Sequence, residues 1–224
     1  MPPPSLGCVH RDAGASRNGW RAGRFPDANL QGERDDMAPV RMAEHFEAHE
    51  RVVRSSLEQL SGVVATVGDA LVAALLAGGK VLAFGNGGSA TEASHLAGEL
   101  TGRYLKTRRP LPAIALAADA GTVTCIGNDF GYGALFERQV EAFAAPGDIA
   151  VGLTTSGRSE NVMRGLAAAR RNGAVTVALT GAAGLVGADA DHVIRVPSTV
   201  TAHIQELHIM IVHVWCEAVD AAFP

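Results

Sequence analysis

Between Pro39 and Gly79, apolar and charged residues recur at helical spacing. In VRMAEHFEAHERVVRSSLEQL, Met42, Phe46, Val52, Val53 and Leu57 fall near one face with charges elsewhere. GVVATVGDALVAALLAGG is more apolar and stops at Gly78-Gly79. Two N-terminal helices are expected, with apolar faces to pack on the core or on another subunit. Past Gly79 the texture changes. KVLAFG, AIALAA, DIAVGLTT, AVTVALTG and HVIRVP are short, almost unbroken apolar runs. Such runs suit strands buried on both faces of a parallel sheet. Helical stretches at 88–101, 134–144, 159–172 and 201–221 alternate with them. The alternation predicts an α/β fold with three layers, helices on both sides of a five-stranded parallel sheet, joined by right-handed crossovers.

Residues 1–36 differ from the rest, being rich in Pro, Gly, Arg, Asn and Asp without periodic apolar positions. They read as an N-terminal extension without fixed structure, leaving 37–224 as a single domain. Three cysteines, Cys8, Cys125 and Cys216, form no CxxC pair, which suits reduced thiols in the cytoplasm. A formal net charge of −4 argues against a general nucleic-acid binder. No unbroken apolar run reaches the roughly 18 residues of a membrane span, and the N-terminus has no secretory h-region.

In open α/β sheets, ligands bind outside the carboxyl ends of the strands. That singles out the loops after Phe84 and after Leu153. The first, Gly85-Asn86-Gly87-Gly88-Ser89-Ala90, spells a G-x-G-x-x-A fingerprint. A dinucleotide site also needs an acid about 20 residues further on, and the first acid at a strand end is Asp119, which is late. The second loop, TTSGRSENV, crowds Thr154, Thr155, Ser156 and Ser159 around Gly157 at a strand-to-helix junction. One hydroxyl would serve as a helix cap. Four hydroxyls beside unpaired backbone N–H groups and a helix dipole suit a phosphate monoester better. The loop has no G-K-[ST], so it is not a P-loop.

His95 and Glu99 stand four residues apart, on one face of the helix that opens at the first loop. They could share a metal or a substrate. The C-terminal helix TAHIQELHIMIVHVWCEAVDAAF carries His203, Gln205, His208 and His213. Gln205 lies about 60° from His208 and about 80° from His213 around the helix, and the latter pair is about 12 Å apart along the axis. Spacing leaves either histidine open as the partner of Gln205.

Taken together, GNGGS, ELTGRY, GNDFGYG, TSGRSENV and IQELHIMIVH resemble the sugar isomerase (SIS) family, and within it the phosphoheptose isomerases. They occur in the family's order and spacing, over roughly residues 42–224. The resemblance implies a homotetramer with active sites between subunits. It also implies conversion of the phosphorylated seven-carbon sugar sedoheptulose 7-phosphate to glycero-manno-heptose 7-phosphate. One Zn2+ per subunit would be held by His95, Glu99, Gln205 and His213, a choice made by the resemblance and not by spacing. Ser89, Thr155, Ser156 and Ser159 would hold the phosphate, with Thr154 where the family often has Ser. Asn86, Gly87, Gly88, Arg103, Asp129 and Gln205 would line the substrate pocket. Departures are Ala202-His203, where some of these enzymes have Asp-Arg, and the ATEAS stretch at 90–94.

Ketose–aldose isomerisation moves a proton between C1 and C2 through an enediol, which needs a base, an acid and a polarised carbonyl. Under the resemblance, Glu99 takes the C1 proton and His213 serves C2 or its oxygen. One rival is a non-catalytic relative, such as the regulator of replication initiation that binds DnaA. That relative lacks counterparts of Glu99 and His213, both present here. A sugar-phosphate sensor and an isomerase of another phosphosugar are the remaining readings.

Overall fold

A computed structural model describes residues 41–223. The expectation of an unstructured extension over 1–36 lies outside the described residues. Helix α1 spans Met42–Leu76, followed by β1 (Val81–Gly85), α2 (Gly88–Thr101), β2 (Ala113–Ala115) and α3 (Ala120–Phe130). A 3-10 turn at Tyr132–Ala134 leads into α4 (Leu135–Phe143), β3 (Ile149–Thr154) and α5 (Glu160–Arg171). The chain ends with β4 (Val175–Thr180), β5 (His192–Arg195) and α6 (Thr201–Ala222).

All five strands are parallel, in the order β2-β1-β3-β4-β5. β1 and β3 are buried throughout, as their unbroken apolar runs require. Successive side chains point to opposite faces, and so the sheet separates two cores. Val81, Ala83, Val151, Leu153, Val177 and Leu179 face α1, α2 and α6, with Trp215 wholly buried among them. Leu82, Phe84, Ala150 and Ala178 face α4 and α5 on the other side. Burying each large aliphatic side chain here stabilises by about 1.5–3 kcal/mol relative to leaving it in water.

The two expected N-terminal helices are one continuous helix of 35 residues. No proline interrupts it. Gly62, taken as a break, costs about 1 kcal/mol against alanine. The stripe Ser56, Leu60, Val64, Val67, Leu71 and Leu75 stays buried straight across it. The face expected further upstream packs only in part: Val52 and Val53 rest against the core, whereas Met42, Phe46 and Leu57 are exposed. By length and composition α1 could cross a membrane, with a hydropathy of 1.7 over its most apolar window. Its stripe is instead spent on tertiary contacts, and Trp215 Nε1 donates to the Val64 carbonyl at 3.0 Å.

Helix α3 was not foreseen. Gly121, Gly127 and four β-branched residues weaken its helical signature, and only Ile126 is buried. Its one clear start signal is Asp119, whose carboxylate caps the helix by accepting from Gly121 N–H at 2.9 Å and Thr122 N–H at 3.4 Å. The hydrogen bonds from Thr122 and Gly121 hold that carboxyl below the usual range. The late acid of the dinucleotide pattern is thus a helix cap.

Candidate active site

The sheet order reverses between β1 and β3, where open α/β sheets leave a crevice at their carboxyl edge. Gly85 and Leu153 are paired in register, so the two loops singled out in the sequence emerge side by side. A triangle of side chains ties them together. Asn86 Nδ2 donates to Asn161 Oδ1 at 2.9 Å, Asn161 Nδ2 returns a bond to Asn86 Oδ1 at 2.8 Å, and Tyr132 Oη also donates to Asn86 Oδ1 at 2.8 Å.

Gly87 caps α2 at φ +56, and Ser89 is buried at the first turn. In the second loop Thr154 is buried, and its hydroxyl lies 3.0 Å from that of Ser159, which stands at the N-terminus of α5. Ser156 Oγ accepts from Arg158 N–H at 3.2 Å, and the Thr155 carbonyl accepts from Gly181 N–H at 3.1 Å. Gly157 holds the tight turn at φ +66, and a Cβ there would lie 1.7 Å from the Gly184 carbonyl oxygen. The turn after β4 therefore clamps the hydroxyl loop, and only glycine fits.

The titratable side chains meet between α2 and α6. His95 Nε2 lies 2.9 Å from His213 Nε2 and 3.4 Å from Glu99 Oε1. The imidazoles are tilted at 58°, and Tyr104 stacks on the far side of His213 at 5.5 Å. Burial and the neighbouring Glu217 push the Tyr104 phenol up. A buried latch fixes the loop bearing Tyr104. Arg108 donates to Asp220 Oδ1 at 2.9 Å and to the Glu99 carbonyl at 2.8 Å, and Asp220 Oδ2 accepts from Leu105 and Lys106 N–H, both at 2.9 Å.

The two histidines that spacing left open, His208 and His213, stand in different surroundings. His208 is buried, with Nδ1 3.3 Å from Glu92 Oε2 and Nε2 3.4 Å from the Thr180 carbonyl. His213 instead reaches His95, Nε2 to Nε2 at 2.9 Å. Gln205 packs its amide on Gly88, where a Cβ would lie 2.2 Å from Gln205 Nε2. Both line a cleft of about 620 Å³ together with His95, Glu92, His49 and Glu206. Two residues expected in the substrate pocket stand apart from these contacts. Arg103 is exposed, and Asp129 sits on α3, where it accepts from Asn128 at 2.8 Å.

Sequence reasoning did not find Asn161, Tyr132 or Tyr104 in these roles. All three lie in motifs it had quoted, but partners this distant in the chain leave no local pattern. Arg108 and Asp220 are opposite charges 112 positions apart, which no spacing rule connects.

Residues 44–181 match the family model described as the SIS domain. The phosphoheptose isomerase of Aquifex aeolicus is 53% identical over 162 residues, 72% of this chain and 81% of its own length. That of Maridesulfovibrio salexigens is 46% identical over 181 residues, 80% of this chain and 88% of its own. Among solved structures, the phosphoheptose isomerase GmhA from Neisseria gonorrhoeae superposes with a TM-score of 0.72 at 36% identity, covering 86% of this chain and 99% of that one. The phosphoheptose isomerase from Francisella tularensis gives 0.76 at 34% identity, with 86% and 98% covered. By family model, sequence identity and overall shape, the chain belongs to the SIS domain family, among its phosphoheptose isomerases.

Proposed function

We propose that the protein interconverts sedoheptulose 7-phosphate and glycero-manno-heptose 7-phosphate. The observation that carries this reading is the convergence of His95, Glu99 and His213 beside the cleft, with a hydroxyl loop one strand away. Thr155, Ser156 and Ser159 at the start of α5 hold the phosphate, helped by Ser89 at the start of α2. The helix dipole at each N-terminus favours the anion. Phosphate at C7 anchors the sugar far from the reacting carbons and orients C1 and C2 for proton transfer.

Glu99 removes a proton from C1 of the ketose. The C1–H electrons form the C1=C2 bond of the enediol as the C2 carbonyl oxygen gains a proton. His213 delivers or relays protons at C2 and its oxygen, and loss of the O1 proton leaves the C1 aldehyde. No electrons leave the sugar. Tyr104, stacked on His213, fixes the plane of that imidazole.

The same residues suit a zinc ion. A tetrahedral site with nitrogen and oxygen ligands has edges of about 3.4 Å; the two separations from His95 Nε2, 2.9 and 3.4 Å, are near this, and side-chain rotation would bring Glu99 and His213 closer to each other. Two imidazoles, a carboxylate and the Gln205 amide form a thiolate-free set of the kind zinc accepts. When bound, zinc would polarise the substrate carbonyl.

A homotetramer goes with this reading. It is supported by an apolar groove between α1 and α6, lined by Val53, Leu57, Leu60, Met210, Ile211 and Val214. Leu57, Met210 and Val214 are exposed in a single chain. A cytoplasmic location also goes with it, supported by the free thiols of Cys125 and Cys216.

The test is to incubate the protein with sedoheptulose 7-phosphate, shorter ketose phosphates and, separately, DnaA. Aldose formation from the seven-carbon substrate at the highest kcat/KM supports the proposal. DnaA binding without turnover of any sugar phosphate would replace it with the regulator reading.

A further inference from the structure

A second cluster of metal-ligating side chains lies where α1 and α6 begin. His45 and His49 stand one turn apart on α1, and His203 and Glu206 lie in the first two turns of α6. Among the described residues, one group of His, Cys, Asp and Glu brings three ligand atoms within 4.8 Å of one another, and it is His45, His203 and Glu206. His45 Nε2 is 3.4 Å from Glu206 Oε1, and the His45 and His203 ring centroids are 5.0 Å apart. His49 completes the group, with Nδ1 2.9 Å from Glu206 Oε2 and its ring 5.5 Å from that of His203. His49 Nδ1 is buried without a well-directed hydrogen bond, and His203 is only 6% exposed. Three imidazoles therefore surround one carboxylate.

We infer that His45, His203 and Glu206 form a second site, structural in role, for a divalent transition ion of the zinc class. Imidazole and carboxylate without thiolate suit Zn2+, Co2+, Ni2+ or Cu2+, whereas Ca2+ and Mg2+ prefer all-oxygen shells. Closing the ligands from 4.8 Å to a tetrahedral edge of about 3.4 Å needs only side-chain rotation. His45 and Glu206 have that freedom, at 48% and 43% side-chain exposure. His49 sits beside the free carboxylate oxygen and orients it, the usual task of an outer-sphere partner. The ion ties the first turns of α1 to the helix that carries Gln205 and His213. It thereby fixes the wall of the cleft that His49 and Glu206 share with His95.

The test uses the untagged full chain, stripped of metal and titrated with Co2+ and then Zn2+, reading metal per chain, the cobalt visible spectrum and Tm. A His95→Ala/His213→Ala double variant removes the proposed catalytic metal site. It is expected to keep one equivalent of metal and a metal-dependent rise in Tm. Adding His45→Gln to that background should abolish the rise and weaken Co2+ binding by on the order of 100-fold or more, since even outer-sphere losses reach that size. His203→Gln should do the same, and His45→Gln covers the case in which the buried variant fails to fold. Stoichiometry unchanged by His45→Gln, or a double variant that binds no metal, would overturn the inference. A wild type that binds one equivalent and a double variant that also binds one would remove the catalytic metal and leave this site standing.

Discussion

His95 and His213, from helices 118 positions apart in the chain, face each other Nε2 to Nε2 at 2.9 Å. The contact joins the first-loop helix to the C-terminal helix at the point where Glu99 also arrives. At this separation one nitrogen donates and the other accepts, so each ring's tautomer depends on the other. His213→Ala is expected to lower kcat by on the order of 10²–10⁴-fold, the usual worth of a positioned acid or base. Both side chains are partly exposed, so Tm should change little. Steady-state kinetics beside a thermal melt checks this. A variant that loses Tm and kcat together would point to a structural role.

Gly88→Ala separates positioning from stability. The new methyl would sit 2.2 Å from Gln205 Nε2, at the far end of a flexible side chain that can swing away. Helix propensity favours alanine by up to about 1 kcal/mol. Stability should therefore stay within about 1 kcal/mol of the parent while activity, and affinity for the proposed zinc ion, fall. A denaturant melt and a metal titration on one preparation give both readouts.

Gly157→Ala behaves oppositely. A φ of +66 strains any L-residue, and the Cβ would meet the Gly184 carbonyl oxygen, backbone that cannot swing aside. The loss should be about 3 kcal/mol or more, from the left-handed conformation and overpacking combined. Chemical denaturation measures it. A loss below 1 kcal/mol would mean that the turn after β4 does not clamp the hydroxyl loop.

Much of this was legible in the chain, for reasons tied to range. The runs containing β1, β3 and β4 are apolar at almost every position because both faces are buried, and that leaves a local mark. The hydroxyls at 154–159 and the His95–Glu99 pair are likewise local. α1 was divided at Gly62 because propensity outweighed the continuous stripe that tertiary packing uses. Asn86 with Asn161, Tyr104 with His213 and Arg108 with Asp220 are long-range pairs, and only the fold brings them together.

Asp220 links stability to pH. Burial pushes its carboxyl up, but hydrogen bonds from Lys106 N–H, Arg108 and Leu105 N–H outweigh this and hold it below the usual range. A lowered folded value stabilises above the unfolded pKa, about 3.9. That contribution is lost as pH falls through the folded value. Asp220→Asn should flatten the acid limb of the Tm–pH curve below about pH 4. At neutral pH it should cost about 3 kcal/mol by leaving the buried Arg108 charge unpaired. It should also loosen Tyr104 and lower activity.

Cys216 and Cys125 should react very differently. Burial pushes the Cys216 thiol up to about 12, whereas Cys125 is exposed. At pH 8 iodoacetamide should label Cys125 in the native protein and Cys216 only after unfolding, as peptide mass mapping would show. Equal labelling rates would contradict the packing of α6 against α1.

The most direct test of the central claim is proton exchange at the substrate carbons. Sedoheptulose 7-phosphate is incubated in deuterated water with the wild type and with Glu99→Gln, following the sugar by NMR. The account predicts deuterium at C2 of the aldose product and, through reversal, at C1 of the ketose. With Glu99→Gln, both signals should fall by at least about 10²-fold while the protein stays folded. Undiminished exchange in Glu99→Gln would remove Glu99 as the base, and no exchange in the wild type would contradict the isomerase itself.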